Sequence, residues 1–388
     1  METDNQMAHV AEPGGGEELP ARNERSGPDS IGALTLRLVP VLAAVAEDAE
    51  RLDRESAFPE DAIEALRKTG VLRSPLSRDL GGLGLGTTET GTAGVTTLLR
   101  SIGRANLSLG RIFEGHLNAL RLITRYGTQA QIQGAAADAA SGHLFAIWAT
   151  EKPATRVVLD RGCLKGRKAF ASAAGFATRP LITVHVCGQG DCLALVELEP
   201  GQGVAGAPFD LHGMRGTATA AVDFDGVEVP ATAIIGAPGD YMRQPEISLG
   251  AWRALAVILG GLDALVDTLA RALATQRSGP DPHQRARLGQ ALIARETASL
   301  WVNRCGVLAE ADDAGEDAAN YVKLARVAVE QACNQAMQIA QRSLGLAGFV
   351  RPHPAERLCR DLATYLRQPA MDMVLDEAAA YFAERDLP

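Results

Sequence analysis

In the stretch KAFASAAG, Phe170 and Ser172 stand two residues apart in a strand-like pattern, which would put an aromatic ring and a hydroxyl on one face. A flat apolar wall with a hydrogen-bond donor beside it suits a planar ring with a polar edge. The bland alternative is a core phenylalanine with an incidental serine. Arg277 and Arg342 each offer a fork of donors that matches phosphate oxygens, and Gly345 and Gly348 would let the backbone approach a ligand closely. Either arginine could instead be a solvated helix-face residue. His116, in SLGRIFEGHLNAL, is a lone histidine on a helical pattern, more often structural than functional. Acids suited to general-base work are few. Glu246 precedes a helix, Glu114 shares the helix of His116, and Asp372 reads as the N-cap of a final helix. Before Asp372, the turn at Gln368-Pro369 carries amide, guanidinium and thioether groups but no carboxylate.

The elements that must position these groups fall into three blocks. From Ile31 to 143 the pattern is helical, with Pro59 at one helix start, Gly70 at its end and a glycine loop, GGLGLG, at 81–86. That loop lacks the strand, helix and distant acid of a dinucleotide fingerprint. Between 144 and 240 short alternating or β-branched runs such as LITVHVC and AAVDFDGVEVP alternate with Gly, Pro and Asp, and Asp225-Gly226 reads as a hairpin turn. From 241 to 388 the helical period returns in alanine-rich segments that would pack as a bundle. Residues 1–30 are poor in large apolar groups and read as a disordered tail. The fold expected is α+β: N-terminal helices, a central β-barrel or sandwich, then a four-helix-type bundle.

A net charge of -9 provides no basic field, which argues against nucleic-acid binding. No stretch approaches the roughly 20 uninterrupted apolar residues of a membrane span. The six cysteines lack metal-ligand spacing and no basic-then-apolar segment opens the chain, so they read as reduced, buried thiols in a cytoplasmic protein with no metal site.

Taken in order, GGLGLG, ATEKP, LKGRKAF, FDGVEVPATAIIG and GLAGFVRPHPAERLCRD resemble the acyl-CoA dehydrogenase superfamily over about residues 35–375. The resemblance implies FAD, with FMN as the alternative, bound between the β-domain and the bundle in a homotetramer or homodimer whose partners complete each other's sites. Trp148, Thr150, Phe170 and Ser172 would then meet the flavin ring, and Arg277, Arg342, Gly345 and Gly348 its phosphate-bearing arm. The loop TEKPATRVV departs from the pattern, since it lacks the glycine and serine that approach an acyl-CoA ligand.

Dehydrogenases of this superfamily need a carboxylate of raised pKa to take a proton from the carbon beside a thioester. One family position for it is Pro369 here and the other is Trp252, just before Arg253. Neither side chain can accept that proton. The superfamily's two-component flavin monooxygenases need no such base, taking reduced flavin from a separate reductase and reacting it with oxygen. KAFAS resembles their K-x-F-x-S pattern, and His116 resembles a histidine they point at the flavin. Gln368 stands where some carry a histidine. On this reading Ser172 and His116 steady the oxygen-reacting flavin, Trp252 walls the pocket, and Arg253 with Gln368 orients a small or carrier-bound substrate. The alternatives are an acyl-thioester dehydrogenase with an unusual base such as Glu246, and a helical interaction protein that has lost its flavin.

Overall fold

Local chemistry sets the helix boundaries of the N-terminal block. The computed structural model describes residues 30–87, 91–275 and 281–388, so the expected tail lies outside the described residues except for Ser30. Ser30 caps α1 (Ile31–Glu55) by accepting from the Ala33 amide at 3.2 Å, and α2 (Glu60–Thr69) stops at Gly70 in the left-handed conformation. Then come α3 (Thr92–Ala105), α4 (Leu107–Tyr126), which starts on the Asn106 side chain, and α5 (Gln129–Ala140), opened by a Thr128/Gln131 capping box.

The central strands are β1 (Phe145–Trp148), β2 (Val158–Asp160), β3 (Cys163–Lys165), β4 (Arg167–Ala171), β5 (Arg179–Val186), β6 (Gly190–Leu195), β7 (Ala220–Asp223) and β8 (Ile234–Ile235). They form two sheets. β5 pairs antiparallel with β6 on one side and parallel with β1 and then β2 on the other, while β3 and β8 extend the order; β4 and β7 make a separate antiparallel ladder.

After the short α6 (Glu246–Leu249), helices α7 (Trp252–Ala274), α8 (Pro282–Ala309), α9 (Glu316–Leu344) and α10 (Pro354–Tyr365) pack on one another, with α11 (Met371–Phe382) against α9. The order of helices, strands and helices is the one the sequence implies. Asp372 lies in the first turn of α11 and not at its cap, which is Ala370; an acid there still favours the helix dipole.

Helix α7 fixes the N-terminal block to the bundle. A Cβ on Gly260 would lie 2.1 Å from the Arg100 carbonyl oxygen, and one on Gly103 2.3 Å from that of Val257, so α3 and α7 meet backbone to backbone. Arg100 and Asp263 close the contact at 2.6 Å. The run Glu246–Ala274 has the length and hydropathy to cross a membrane, a feature the sequence reading passed over, but 78% of its apolar window is buried inside the protein. It is the core helix. All six cysteines are free, and Cys192, Cys305, Cys333 and Cys359 are buried as expected. Cys187 is exposed and Cys163 half-buried, because they sit at strand ends.

Candidate active site

The end of β1, the end of β4 and the loop before β7 converge on one surface. Lys168 is fully buried, paired with Glu151 and donating to the Thr183 hydroxyl at 2.7 Å, so it ties the ATEKP loop to KAFAS. Burial pushes its ammonium down and Glu151 partly restores it. The Ala169 amide donates to the Thr150 carbonyl at 2.9 Å, and the Trp148 indole N–H donates to the Ser172 carbonyl at 2.9 Å. Trp148, Thr150, Phe170 and Ser172 are thereby brought together, although Trp148 is buried with its donor engaged.

Simple strand alternation does not place Phe170 and Ser172. The β4·β7 register shifts between Lys168 and Ala171, β4 ends at Ala171, and Phe170 has φ 53. The left-handed backbone turns the Phe170 ring out: it is 58% exposed and lies 5.1 Å from the Phe209 ring, so it is no core residue. Seven described non-glycine residues have positive φ, and four of them, Phe170, Ala173, Met214 and Ala218, gather in this loop pair. Strain of this kind concentrates at ligand sites.

The loop at 212–214 is latched to α10. Arg360 donates to the His212 carbonyl at 3.0 Å while pairing with Asp53 of α1 at 2.6 Å. Asp361 accepts from the Met214 amide at 2.6 Å and Thr364 from the Gly213 amide at 2.9 Å. Burial raises the Asp361 carboxyl, with Arg357 and the Met214 amide opposing. The Arg360-Asp361 pair thus sets the β-domain against the bundle.

A second polar cluster runs along the inward face of α4. Glu310, at the C-terminus of α8, accepts from the Trp252 indole at 2.7 Å and from Arg253, with Arg121 at 3.4 Å on its other oxygen. Arg121 also pairs with Glu246 at 2.6 Å, and Arg125 and the Tyr126 hydroxyl reach Glu246 at 3.1 and 3.0 Å. Burial alone would raise Glu246, but Arg121 and its neighbours hold it below the usual carboxylate range. Glu114 accepts from Arg111 and Asn118. Burial lowers Arg253 to about 10 despite Glu310. Arg253 Nε and the Tyr365 hydroxyl are enclosed without a hydrogen-bond partner among the described residues.

Several expected site residues sit elsewhere. His116 is wholly enclosed; its Nε2 donates to the Leu72 carbonyl at 2.7 Å and its Nδ1 accepts from the Phe145 amide at 3.1 Å. Burial lowers it to about 4, and no nitrogen is left for a ligand. Trp252 does not wall a pocket, because its indole is fully buried against α8. Arg253 is committed to Glu310 and to Asn118 at 3.2 Å, and the Gln368 amide donates to the Tyr365 carbonyl at 2.7 Å, so neither side chain is free to orient a substrate as expected. Arg342 is exposed at the end of α9, Gly345 has φ 57, and Gly348 is buried in the turn that follows. No hydrogen bond among the described residues joins these three to Phe170 or Ser172. Arg277 lies outside the described residues.

Residues 41–143 match the family "Acyl-CoA dehydrogenase, N-terminal domain". No curated protein matches the sequence. Among solved structures, KijD3 in complex with FMN and a dTDP-linked amino-keto sugar superposes with a TM-score of 0.79 at 23% identity, over 92% of this chain and 95% of that one. TdsC from Paenibacillus sp. A11-2 with FMN and indole gives 0.80 at 18% identity, over 92% and 98%. Butyryl-CoA dehydrogenase from Megasphaera elsdenii gives 0.79 at 16% identity, over 95% and 100%. Residues 41–143 therefore match the acyl-CoA dehydrogenase N-terminal domain, and the chain has the acyl-CoA dehydrogenase fold.

Proposed function

We propose that the protein is a flavin-dependent oxidoreductase that activates oxygen on a small or carrier-bound molecule. The residues of the β-domain suit a flavin ring: an exposed Phe170 ring for its face, and the half-buried Ser172 hydroxyl and exposed Thr150 for its edge. Bound there, the flavin would supply redox chemistry with electrons and oxygen. Similar folds crystallised with FMN, KijD3 and TdsC, support the same reading.

One observation carries the preference for oxygen chemistry over thioester dehydrogenation: among the described residues, no buried carboxylate near the α4–α7 junction is free to take a proton. Glu246 is held ionised by Arg121, Arg125 and Tyr126, Glu310 is taken by Trp252, Arg253 and Arg121, and Glu114 by Arg111 and Asn118. A second copy of the chain would cover the exposed stripe of Ile293, Leu300 and Val307 on α8.

The test has two arms, anaerobic mixing of flavin-loaded protein with an acyl-CoA and aerobic turnover with reduced flavin. Butyryl-CoA should leave the flavin absorbance unbleached, whereas reduced FMN or FAD with oxygen should oxidise a member of a panel containing indole and dTDP-linked amino sugars. Bleaching by an acyl-CoA would overturn the oxygenase reading, and a protein that takes up neither flavin would be the interaction protein.

A further inference from the structure

Ser172 stands at the outer end of three hydroxyls whose direction is set from the inner end. Thr217 donates to the Met214 carbonyl at 2.8 Å, which commits its proton. The Thr217 and Thr219 hydroxyl oxygens lie 2.7 Å apart, so Thr219 must be the donor between them. Thr219 then presents only lone pairs to Ser172 Oγ, 3.5 Å away and near the limit for a hydrogen bond. Ser172 can donate weakly inward or turn its proton outward, but it receives none from the row. Thr217 and Thr219 are buried and Ser172 half-buried, so the row runs from interior to surface. Its base is held by the latch of Met214 onto Asp361.

We propose that Thr219 is a positioning residue that lets Ser172 serve a flavin in both redox states, an inference that rests on the flavin reading above. Reduction converts an acceptor nitrogen at the flavin edge into an N–H donor, so a hydroxyl facing it must donate in one state and accept in the other. With its proton resting on Thr219, Ser172 accepts; with the proton turned outward, it donates. A serine lacking that inner acceptor would leave its own proton unpaired whenever it accepted, at a desolvation cost.

Thr219→Val removes the resting place while keeping the side chain's shape. The expected result is about tenfold weaker binding of reduced flavin relative to oxidised flavin, equivalent to a potential about 30 mV lower for a two-electron couple. Affinities for FMN and FAD are read anaerobically in both states by ultrafiltration. Thr219→Ser should keep the wild-type ratio. Thr217→Val, which frees the Thr219 proton to point at Ser172, should move the ratio in the same direction as Thr219→Val. In a Ser172→Ala background, Thr219→Val should add nothing. An unchanged ratio, equal losses in both states, or additive effects in the double variant would overturn the relay. Should Thr219→Val not fold, an unaltered ratio in Thr217→Val overturns it instead. Wild-type protein that takes up no flavin sinks the flavin reading and the relay together, whereas uptake with an insensitive ratio sinks the relay alone.

Discussion

Replacing His116 with phenylalanine separates a structural histidine from a functional one. The ring is fully enclosed between Phe113 and Phe145, with centroids at 6.0 and 5.6 Å, so phenylalanine fits the space. What is lost is the pair of contacts to the Leu72 carbonyl and the Phe145 amide. Each main-chain group left unpaired costs about 1–3 kcal/mol, so the variant should be about 2–6 kcal/mol less stable at pH 7. The difference should depend on pH in a definite direction. Burial lowers the imidazole from 6.5 to about 4, so between those values the unfolded chain holds a proton that the folded chain does not. Stability from the neutral ring is therefore complete above about pH 6.5 and falls by about 3 kcal/mol on acidification through 4. Phenylalanine cannot titrate. Denaturant midpoints measured from pH 7 to pH 4 should show the gap between wild type and variant narrowing by about that amount. A gap constant with pH, or a variant that matches wild-type stability yet no longer binds flavin, would refute this account of His116.

Glu246→Gln should cost about 3–5 kcal/mol by leaving Arg121 buried without its ionised partner, and thermal unfolding would show it; a stable variant that merely loses turnover would restore Glu246 as a base. Phe170→Ser, at an exposed position, should change stability by less than about 0.5 kcal/mol while weakening flavin binding about tenfold, read by fluorescence titration. Ile293→Lys with Leu300→Lys should shift the protein to monomers in light scattering, because the α8 stripe that a second copy would cover becomes charged.

The three-block architecture was legible because it rests on period: helix α1 buries Leu34, Leu38, Val45 and Leu52 on one face, and β5 is an apolar run bounded by turns. Phe170 and Ser172 stand out in KAFAS, but their geometry was not legible, since a bulge and a left-handed φ leave no mark in alternation. Glu310 was missed. It meets Arg253 across 57 residues of sequence, and at a helix end it reads as an ordinary surface acid. Thr217 and Thr219 were also passed over, because Ala218 between them has φ 46 and a spacing of two in RGTATA puts hydroxyls on one face only in a strand. His116 misled for the opposite reason, because a buried histidine satisfied by main-chain groups carries the same letter as one that faces a ligand.

The same network decides what would happen if a carboxylate were put back at position 252. The side chain there points into the core against α8, where its indole donates to Glu310 at 2.7 Å. Trp252→Glu would set a second carboxylate against Glu310, both competing for Arg253, and would empty an indole-sized space. Cavity formation alone costs about 3–5 kcal/mol, and like-charge repulsion in a buried site adds to it. The expected outcome is a severely destabilised protein with no bleaching of bound flavin by butyryl-CoA. A folded variant that gained this activity would show that the carboxylate can reach a substrate from position 252, and that the buried ion cluster bars thioester chemistry only by the residue it lacks.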